Sequence, residues 1–371
     1  MSAIFCAAFV AACDLKSTPD DGDAHRATAI AIPPIAHSSS IPHVTISDNT
    51  LQKLVARLAT SDSAIFLDRD AVAILTRTGI AVTDIHRVLI FDSTGHLLVT
   101  RGQNGAGPGE YENVQAICQS TGDTLVVVDA GQSRVSILTP DGRFVRSFNL
   151  VFGELPFQHG CLDDGTILVK NVMKGSRNQF GAFRYTLSGT VRDSTLVLDF
   201  ENFLGGRLVF APANLVAYHD SIVFGNPWTG EMKLYSPNGF LQRTVRLTGI
   251  KTRVIPKDIR PWIKAKNGPT LYWPAKAKNL PYFQKIHVAS NGDVWYNDYP
   301  ASKHEAIRWA GFSRDGAPLG TLTIDSSLVV NQSVTVADFG VSSVLLRFEQ
   351  DRGGTTFRIL PISNLPPNSH R

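Results

Sequence analysis

The chain has 371 residues, 43% hydrophobic and 18% charged, which excludes wholesale disorder and leaves enough apolar content for a large core. A formal net charge of +4 is too small to mark the whole chain as a nucleic-acid binder, so no nucleic-acid partner is expected. Gly 30 and Pro 20 without a collagen period fit many short strands joined by turns.

Residues 3–12 form a short apolar run, too short to span a bilayer as a helix. Small residues lead from it into a cysteine, Val10-Ala11-Ala12-Cys13. This resembles a bacterial lipobox, although no Lys or Arg precedes the apolar run. The resemblance implies a signal peptide over 1–13, lipidation of Cys13, and an extracytoplasmic protein held to a bacterial cell-envelope membrane through its lipid anchor only. The polar stretch Ser17-Thr18-Pro19-Asp20-Asp21-Gly22-Asp23 reads as part of a flexible tether over 14–42. A propeller-sized repeat region then runs over 43–365, with an insertion at 251–281 and a short tail at 366–371.

Within it, His43-Val44-Thr45-Ile46 reads as a lone strand, and Leu51, Leu54, Val55 and Leu58 after Asp48-Asn49 have the spacing of a short capped helix. Short alternating runs then recur around glycine turns. Val88-Leu89-Ile90-Phe91 and His96-Leu97-Leu98-Val99 flank Gly95; Val135-Ser136-Ile137-Leu138 and Arg143-Phe144-Val145 flank Asp141-Gly142. The same unit recurs at Gly189, Gly239 and Gly316, and we expect type I′ hairpin turns there, whose central residues need positive φ. The glycines at 95, 142, 189 and 239 are 47, 47 and 50 residues apart, the period of a four-stranded propeller blade. Five units span about 64–101, 113–150, 156–199, 210–249 and 282–325. A sixth has only three strands, around 334–336, 344–348 and 355–360. The expected fold is an all-β, six-bladed β-propeller whose last blade is closed by an N-terminal strand, residues 43–47 pairing with 355–360.

Arg101-Gly102-Gln103-Asn104-Gly105-Ala106-Gly107-Pro108-Gly109-Glu110-Tyr111 resembles the blade connector of NHL-type repeats and of bacterial six-bladed propeller lipoproteins, and Asp129 and Arg134 match positions of the same repeat. The resemblance implies fold and export; some propellers of this type are lyases with a metal in the central channel. Read from its residues, the glycine-rich stretch precedes a strand and not a helix, so it is a crossover between blades and not a phosphate cradle. Asp129 and Arg134 read as an ion pair pinning a turn.

Catalytic patterns are sparse. His159, His219 and His287 lie in inner strands, but His159 stands six residues before its turn glycine and His287 five, which puts their side chains on opposite faces. His304-Glu305-Ala306-Ile307-Arg308 fails the HExxH pattern at its last position. No catalytic residue, metal or other cofactor is assigned, and the expectation is a protein that is not an enzyme. Cys118 and Cys161 sit in equivalent inner strands of adjacent blades; sheets stacked about 10 Å apart would leave both thiols free.

The strongest compositional anomaly lies between the fourth and fifth units. Residues 251–285 carry nine basic side chains and one acid, a balance of +8, interleaved with Trp262, Tyr272, Trp273, Tyr282 and Phe283. Arg253, Lys257, Arg260, Trp262, Lys264 and Trp273 are the candidate ligand-binding residues, suited to an anionic glycan or an acidic protein partner. The plain alternative is a capping loop with buried tryptophans and solvated lysines. The leading expectation is thus an extracytoplasmic binding propeller; the alternative is an NHL-type lyase or hydrolase with a central-channel site.

Overall fold

The computed structural model describes residues 28–32, 43–46, 67, 71–150, 159–172, 179–199, 214–247, 279–289, 291–298, 306–324, 332–340, 343–350 and 355–361. Two short strands come first, β1 (Thr28–Ile32) and β2 (His43–Ile46). Six up-and-down units follow, and the chain is a six-bladed β-propeller. Blade one holds β3 (Val72–Leu75), β4 (Gly79–Asp84), β5 (Arg87–Asp92) and β6 (Leu97–Arg101). Blade two holds β7 (Val114–Gln119), β8 (Leu125–Asp129), β9 (Arg134–Leu138) and β10 (Phe144–Asn149). Blade three holds β11 (His159–Leu162), β12 (Thr166–Val172), β13 (Gln179–Thr186) and β14 (Val191–Asp199). Blade four holds β15 (Asn214–His219), β16 (Ser221–Asn226), β17 (Glu231–Tyr235) and β18 (Leu241–Leu247). Blade five holds β19 (Ile286–Val288), β20 (Val294–Asn297), β21 (Ile307–Phe312) and β22 (Pro318–Ile324). Blade six holds β23 (Gln332–Phe339), β24 (Ser343–Gln350) and β25 (Thr355–Pro361).

The middle strands of a blade are covered on both faces by its neighbours, which explains runs such as Leu125-Val126-Val127-Val128, where every residue is buried. Outer strands meet solvent, and β6 is largely exposed. The described core clusters accordingly lie between blades. Val88, Ile117 and Val127 join blades one and two, while Trp295, Trp309, Phe339 and Phe348 join blades five and six. Leu89, Leu345 and Phe357 join blade six to blade one, so the ring is closed by apolar packing.

The outer hairpin turns differ from the type I′ expectation. Gly95 donates to the Asp92 carbonyl at 3.1 Å and has φ 90°, while Ser93 and Thr94 keep negative φ. Gly142, Gly189, Gly239 and Gly316 repeat this pattern, with φ of 77°, 90°, 82° and 88°. These are three-residue loops with one left-handed residue at the end, followed by a bulge that shifts the register of the next strand. Only the last position demands glycine, so Asp141 and Asn238 need no unusual backbone.

The outer edges are also covered differently. Residues 43–46 do not pair with 355–360; β2 lies parallel to β22 on blade five, His43 opposite Thr321 and Ile46 opposite Ile324. Residues 28–32, read from sequence as tether, form β1 and lie parallel to β18 on blade four. Blade six receives an N-terminal residue further along: Leu67 bridges Thr355, whose N–H donates to the Leu67 carbonyl at 3.0 Å. The helix expected after Asp48-Asn49 falls outside the described residues.

The two thiols are not free. Cys118 of β7 and Cys161 of β11 form a disulfide, with Cα atoms 5.8 Å apart. The 10 Å spacing applies where two sheets face each other through side chains, but inner strands converge on the axis. Beside this bond β11 and β15 even pair as a parallel ladder, Cys161 opposite Tyr218 and Leu162 opposite His219. Gly160 makes the approach feasible, since a Cβ there would stand 2.0 Å from the Ala217 carbonyl oxygen. The disulfide closes a span of 43 residues across two blades. Replacing both cysteines with Ala is expected to lower the unfolding free energy by about 2–4 kcal/mol in denaturant titration. Peptide mapping without reduction should recover the two as one cross-linked pair, and free thiols at both positions would refute it.

Candidate functional site

Alternating strands divide the propeller's loops between two sides. Turns from first to second and from third to fourth strand lie on one side, called here the turn side. Turns from second to third strand, and the links between blades, lie on the other, the connector side. The parallel pairing of β11 with β15 shows that successive blades run in the same sense. The Arg314 to Asp220 ion pair, 2.6 Å, joins an outer turn of blade five to the inner turn of blade four on the turn side.

On the connector side, the glycine-rich link between blades one and two is rigid. Glu110 accepts from the Gly107 N–H at 2.8 Å and from Gln103 Nε2 at 2.7 Å, which hold its carboxyl below the usual range, the Gln103 bond being the larger effect. Arg134 donates to the carbonyls of Ala106 at 2.9 Å, Gly107 at 3.2 Å, and Glu110. Asp129, fully buried, accepts from the N–H groups of Glu112, Asn113, Gly131 and Gln132 at 2.9 to 3.3 Å. In place of the expected ion pair pinning a turn, both side chains bond backbone: Asp129 holds its turn at Gly131 and Gln132 and the link at Glu112 and Asn113, and Arg134 holds the link. Buried polar backbone that is satisfied in this way costs far less than an orphaned group. The link is a crossover, in which the N–H groups of Gly105, Gly107, Glu110 and Tyr111 are bonded within the link itself.

The described residues on either side of the basic insertion are tied to the same side. Before it, the Leu247 N–H donates to the Gly230 carbonyl at 2.9 Å; after it, the Tyr282 N–H donates to the Pro227 carbonyl at 2.7 Å. Both anchors are in the second-to-third-strand turn of blade four, where Asn226 accepts from the Trp228 N–H at 2.9 Å. Leu280 and Phe283 are buried, the latter in the core between blades four and five. Arg253, Lys257, Arg260, Trp262, Lys264 and Trp273 lie outside the described residues, as does Cys13.

Near the axis the inner strands are fastened to one another. Asp338 of β23 accepts from the Leu75 N–H of β3 at 2.8 Å and from its neighbour Phe339 N–H at 2.8 Å. Burial nevertheless dominates and pushes its carboxyl up to about 7. His287 of β19 does not face the axis. Its ring packs 5.4 Å from Trp309 and 6.0 Å from Phe339, between blades five and six. Burial first, and the Lys285 charge second, lower its pKa to about 3. The backbones of His159 and His219 belong to β11 and β15; their side chains are outside the described set. Among the described residues no three His, Cys, Asp or Glu side chains form a group able to hold a metal.

Sequence reasoning missed Asp338 and a buried arginine. Arg184, 2% exposed, donates to both oxygens of Asp193, with Nε at 2.8 Å from Oδ1, and pairs with Asp164 at 3.2 Å. Arg192 joins Asp164 at 2.8 Å. The signal for Arg184 was an arginine set between Phe183 and Tyr185 in a buried strand, with Asp193 directly across the ladder. For Asp338 a bulge between Val336 and Asp338 breaks the alternation that would have shown which way it points.

No family model matches the chain, and no curated protein matches it. Among solved structures it is similar to a protein from Bacteroides fragilis described as exported, at 12% identity over 86% of this chain and 88% of that one, with a TM-score of 0.55. Looser similarities reach a member of the DUF4221 family from Bacteroides vulgatus, at 9% identity over 81% and 95% with a TM-score of 0.48. They also reach a virginiamycin B lyase from Staphylococcus aureus, at 12% identity over 80% and 87% with a TM-score of 0.41. At such identities the likeness concerns fold. Among the described residues no helix is long and apolar enough to cross a membrane.

Asp338 and His287 oppose each other in pH. The raised Asp338 stabilises fully below the unfolded carboxylate value, and this is lost as pH rises toward about 7. The lowered His287 stabilises fully above 6.5, and this is lost as pH falls toward about 3. Between about 4 and 6.5 the two slopes cancel. Asp338→Asn should therefore make stability rise with pH in that window, relative to wild type, by up to ~1.4 kcal/mol per pH unit. His287→Phe should make it fall. Urea titrations at several pH values check both; parallel pH profiles for all three proteins would refute the assignment.

Proposed function

We propose that this chain is an extracytoplasmic binding propeller, tethered through a lipidated Cys13, that contacts an anionic ligand with the insertion on its connector side. The observation that carries the ligand reading is that the chain leaving blade four at Leu247 and returning at Tyr282, with most of the +8 stretch between them, is held at both points to one turn of blade four, through Gly230 and Pro227. Insertions in repeat folds concentrate on one side, often the binding one. Lysines and arginines mixed with Trp262 and Trp273 suit an anionic glycan or an acidic protein surface, by charge attraction and ring stacking.

The export reading is supported by chemistry independent of the N-terminal motif. A buried disulfide between Cys118 and Cys161 suits an oxidising compartment and is uncommon where thiols are kept reduced. The Bacteroides fragilis protein of similar fold is itself described as exported.

Two tests separate these claims. Cys13→Ala should move the protein from the membrane fraction to the soluble fraction; unchanged fractionation would remove the anchor. Lys257, Arg260 and Lys264 changed together to Ala should abolish salt-sensitive retention on heparin without shifting the melting temperature. Trp262→Ala should weaken that retention and cost less than ~1 kcal/mol if the ring is exposed, against ~3 kcal/mol or more if it is core. A large stability loss with unaltered retention would defeat the ligand reading.

A further inference from the structure

We propose that the turn-side rim of the propeller rests on the bilayer surface, so that the connector side and its basic insertion face away from the membrane; this rests on Cys13 being the lipid anchor. Three observations converge on that rim.

The first is where the chain enters. β1 is parallel to β18, and its first residue, Thr28, stands opposite Arg243, two residues into β18 after the outer turn of blade four. The chain therefore joins the propeller on the turn side and runs from there toward the connector side at Leu247. Between Cys13 and Thr28 there are 15 steps of chain. At no more than ~3.6 Å each, they keep that entry point within about 50 Å of the anchored residue.

The second is where apolar surface is left uncovered. Leu97, Leu98, Val145 and Phe240, the large hydrophobic side chains that stand exposed among the described residues, are 41%, 63%, 55% and 68% accessible. They belong to three blades, yet each follows an outer turn glycine by one to three residues: Gly95, Gly142 and Gly239. Scattered exposed hydrophobics need no explanation, but a set confined to one side of a ring does.

The third is the charge that follows the most exposed of them in the chain. Arg243, three residues after Phe240, bonds the Arg314 carbonyl, and the Arg314 guanidinium, 51% exposed, sits over Asp220. An exposed ring and two arginines on the same side of neighbouring blades suit the interface of a bilayer, with the ring at the acyl boundary and the arginines among phosphates. A tethered protein samples that surface continually, so weak contacts on the rim suffice to orient it.

The test uses the full lipidated chain reconstituted in vesicles of phosphatidylcholine and phosphatidylglycerol. A polarity-sensitive dye is attached at Leu98→Cys or Phe240→Cys on the turn side, or at Glu112→Cys on the connector side, each variant first shown to melt like wild type. Labels at 98 and 240 are expected to shift to the blue and lose emission to a lipid-borne quencher, while the label at 112 stays open to aqueous iodide. Equal exposure of all three labels on protein that remains vesicle-bound overturns the rim contact and leaves the anchor intact. Protein that does not stay on the vesicles fails the anchor reading itself. A blue shift that grows with protein concentration in vesicle-free detergent assigns the rim to a second copy of the chain and also overturns the membrane contact.

Discussion

A ring of twisted sheets holds together only if its blades are fastened where they are narrowest, at the axis. Between the outer strands, apolar side chains bury area freely, and the clusters between blades show this. The inner strands share in this packing, as Val334, Val336 and Phe339 of β23 do, and are joined to one another by directional bonds as well. Different bonds serve at different seams. A carboxylate spans β23 and β3, a disulfide spans β7 and β11, and a parallel ladder spans β11 and β15. Each has its own chemistry: the disulfide responds to redox conditions, the Asp338 contact to pH, and the ladder to anything larger than hydrogen at Gly160. The Asp338 seam is held at an energetic cost, since burial opposes its charge, whereas the His287 ring beside it is held neutral by the same burial.

The outer circumference has the converse problem, because each blade ends in an edge strand whose backbone groups face outward. The N-terminal segment covers three successive edges, β18, β22 and β25, with a strand, a strand and a single bridge. Closure is therefore spread along the rim and does not depend on one strand completing blade six. Because β1 is parallel to β18, a pull on the chain ahead of Thr28 loads its hydrogen bonds together along the strand and does not peel them one by one.

The features visible in the sequence were those that repeat. Turn glycines 47 to 50 residues apart announced the first four blades, and of the ten boundaries of the five units nine fall within four residues of the strands observed, the exception being the start of the first, 64 against 72. What stayed hidden depends on where blades meet. Nothing local at His43-Val44-Thr45-Ile46 distinguishes β22 from β25 as its partner. The thiol spacing was misjudged because a sheet-packing distance was applied to strands that converge on an axis. The type I′ expectation failed because Asp141-Gly142 and Asn238-Gly239 match two kinds of hairpin, and only the bulge after the glycine tells them apart. On the candidate site, the basic composition of 251–285 was plain, while its attachment to the Asn226–Gly230 turn required knowing which turns share a side.

That sidedness follows from strand parity, and it constrains function. A blade of four alternating strands returns the chain to the connector side each time, so every link between blades starts and ends there. On the turn side, the outer turns of blades one to five are tight hairpins that end in a left-handed glycine, as where Asp92 accepts from the N–H groups of Thr94 at 2.8 Å and His96 at 3.0 Å. Such turns cannot absorb an insertion without losing the register of the strand that follows. A link can, because the chain on either side of it is held independently, as after blade four by Gly230 at Leu247 and by Pro227 at Tyr282. The charge-rich stretch therefore leaves and rejoins the ring on one side, while the exposed apolar residues Leu97, Leu98, Val145 and Phe240 follow the outer turns on the other.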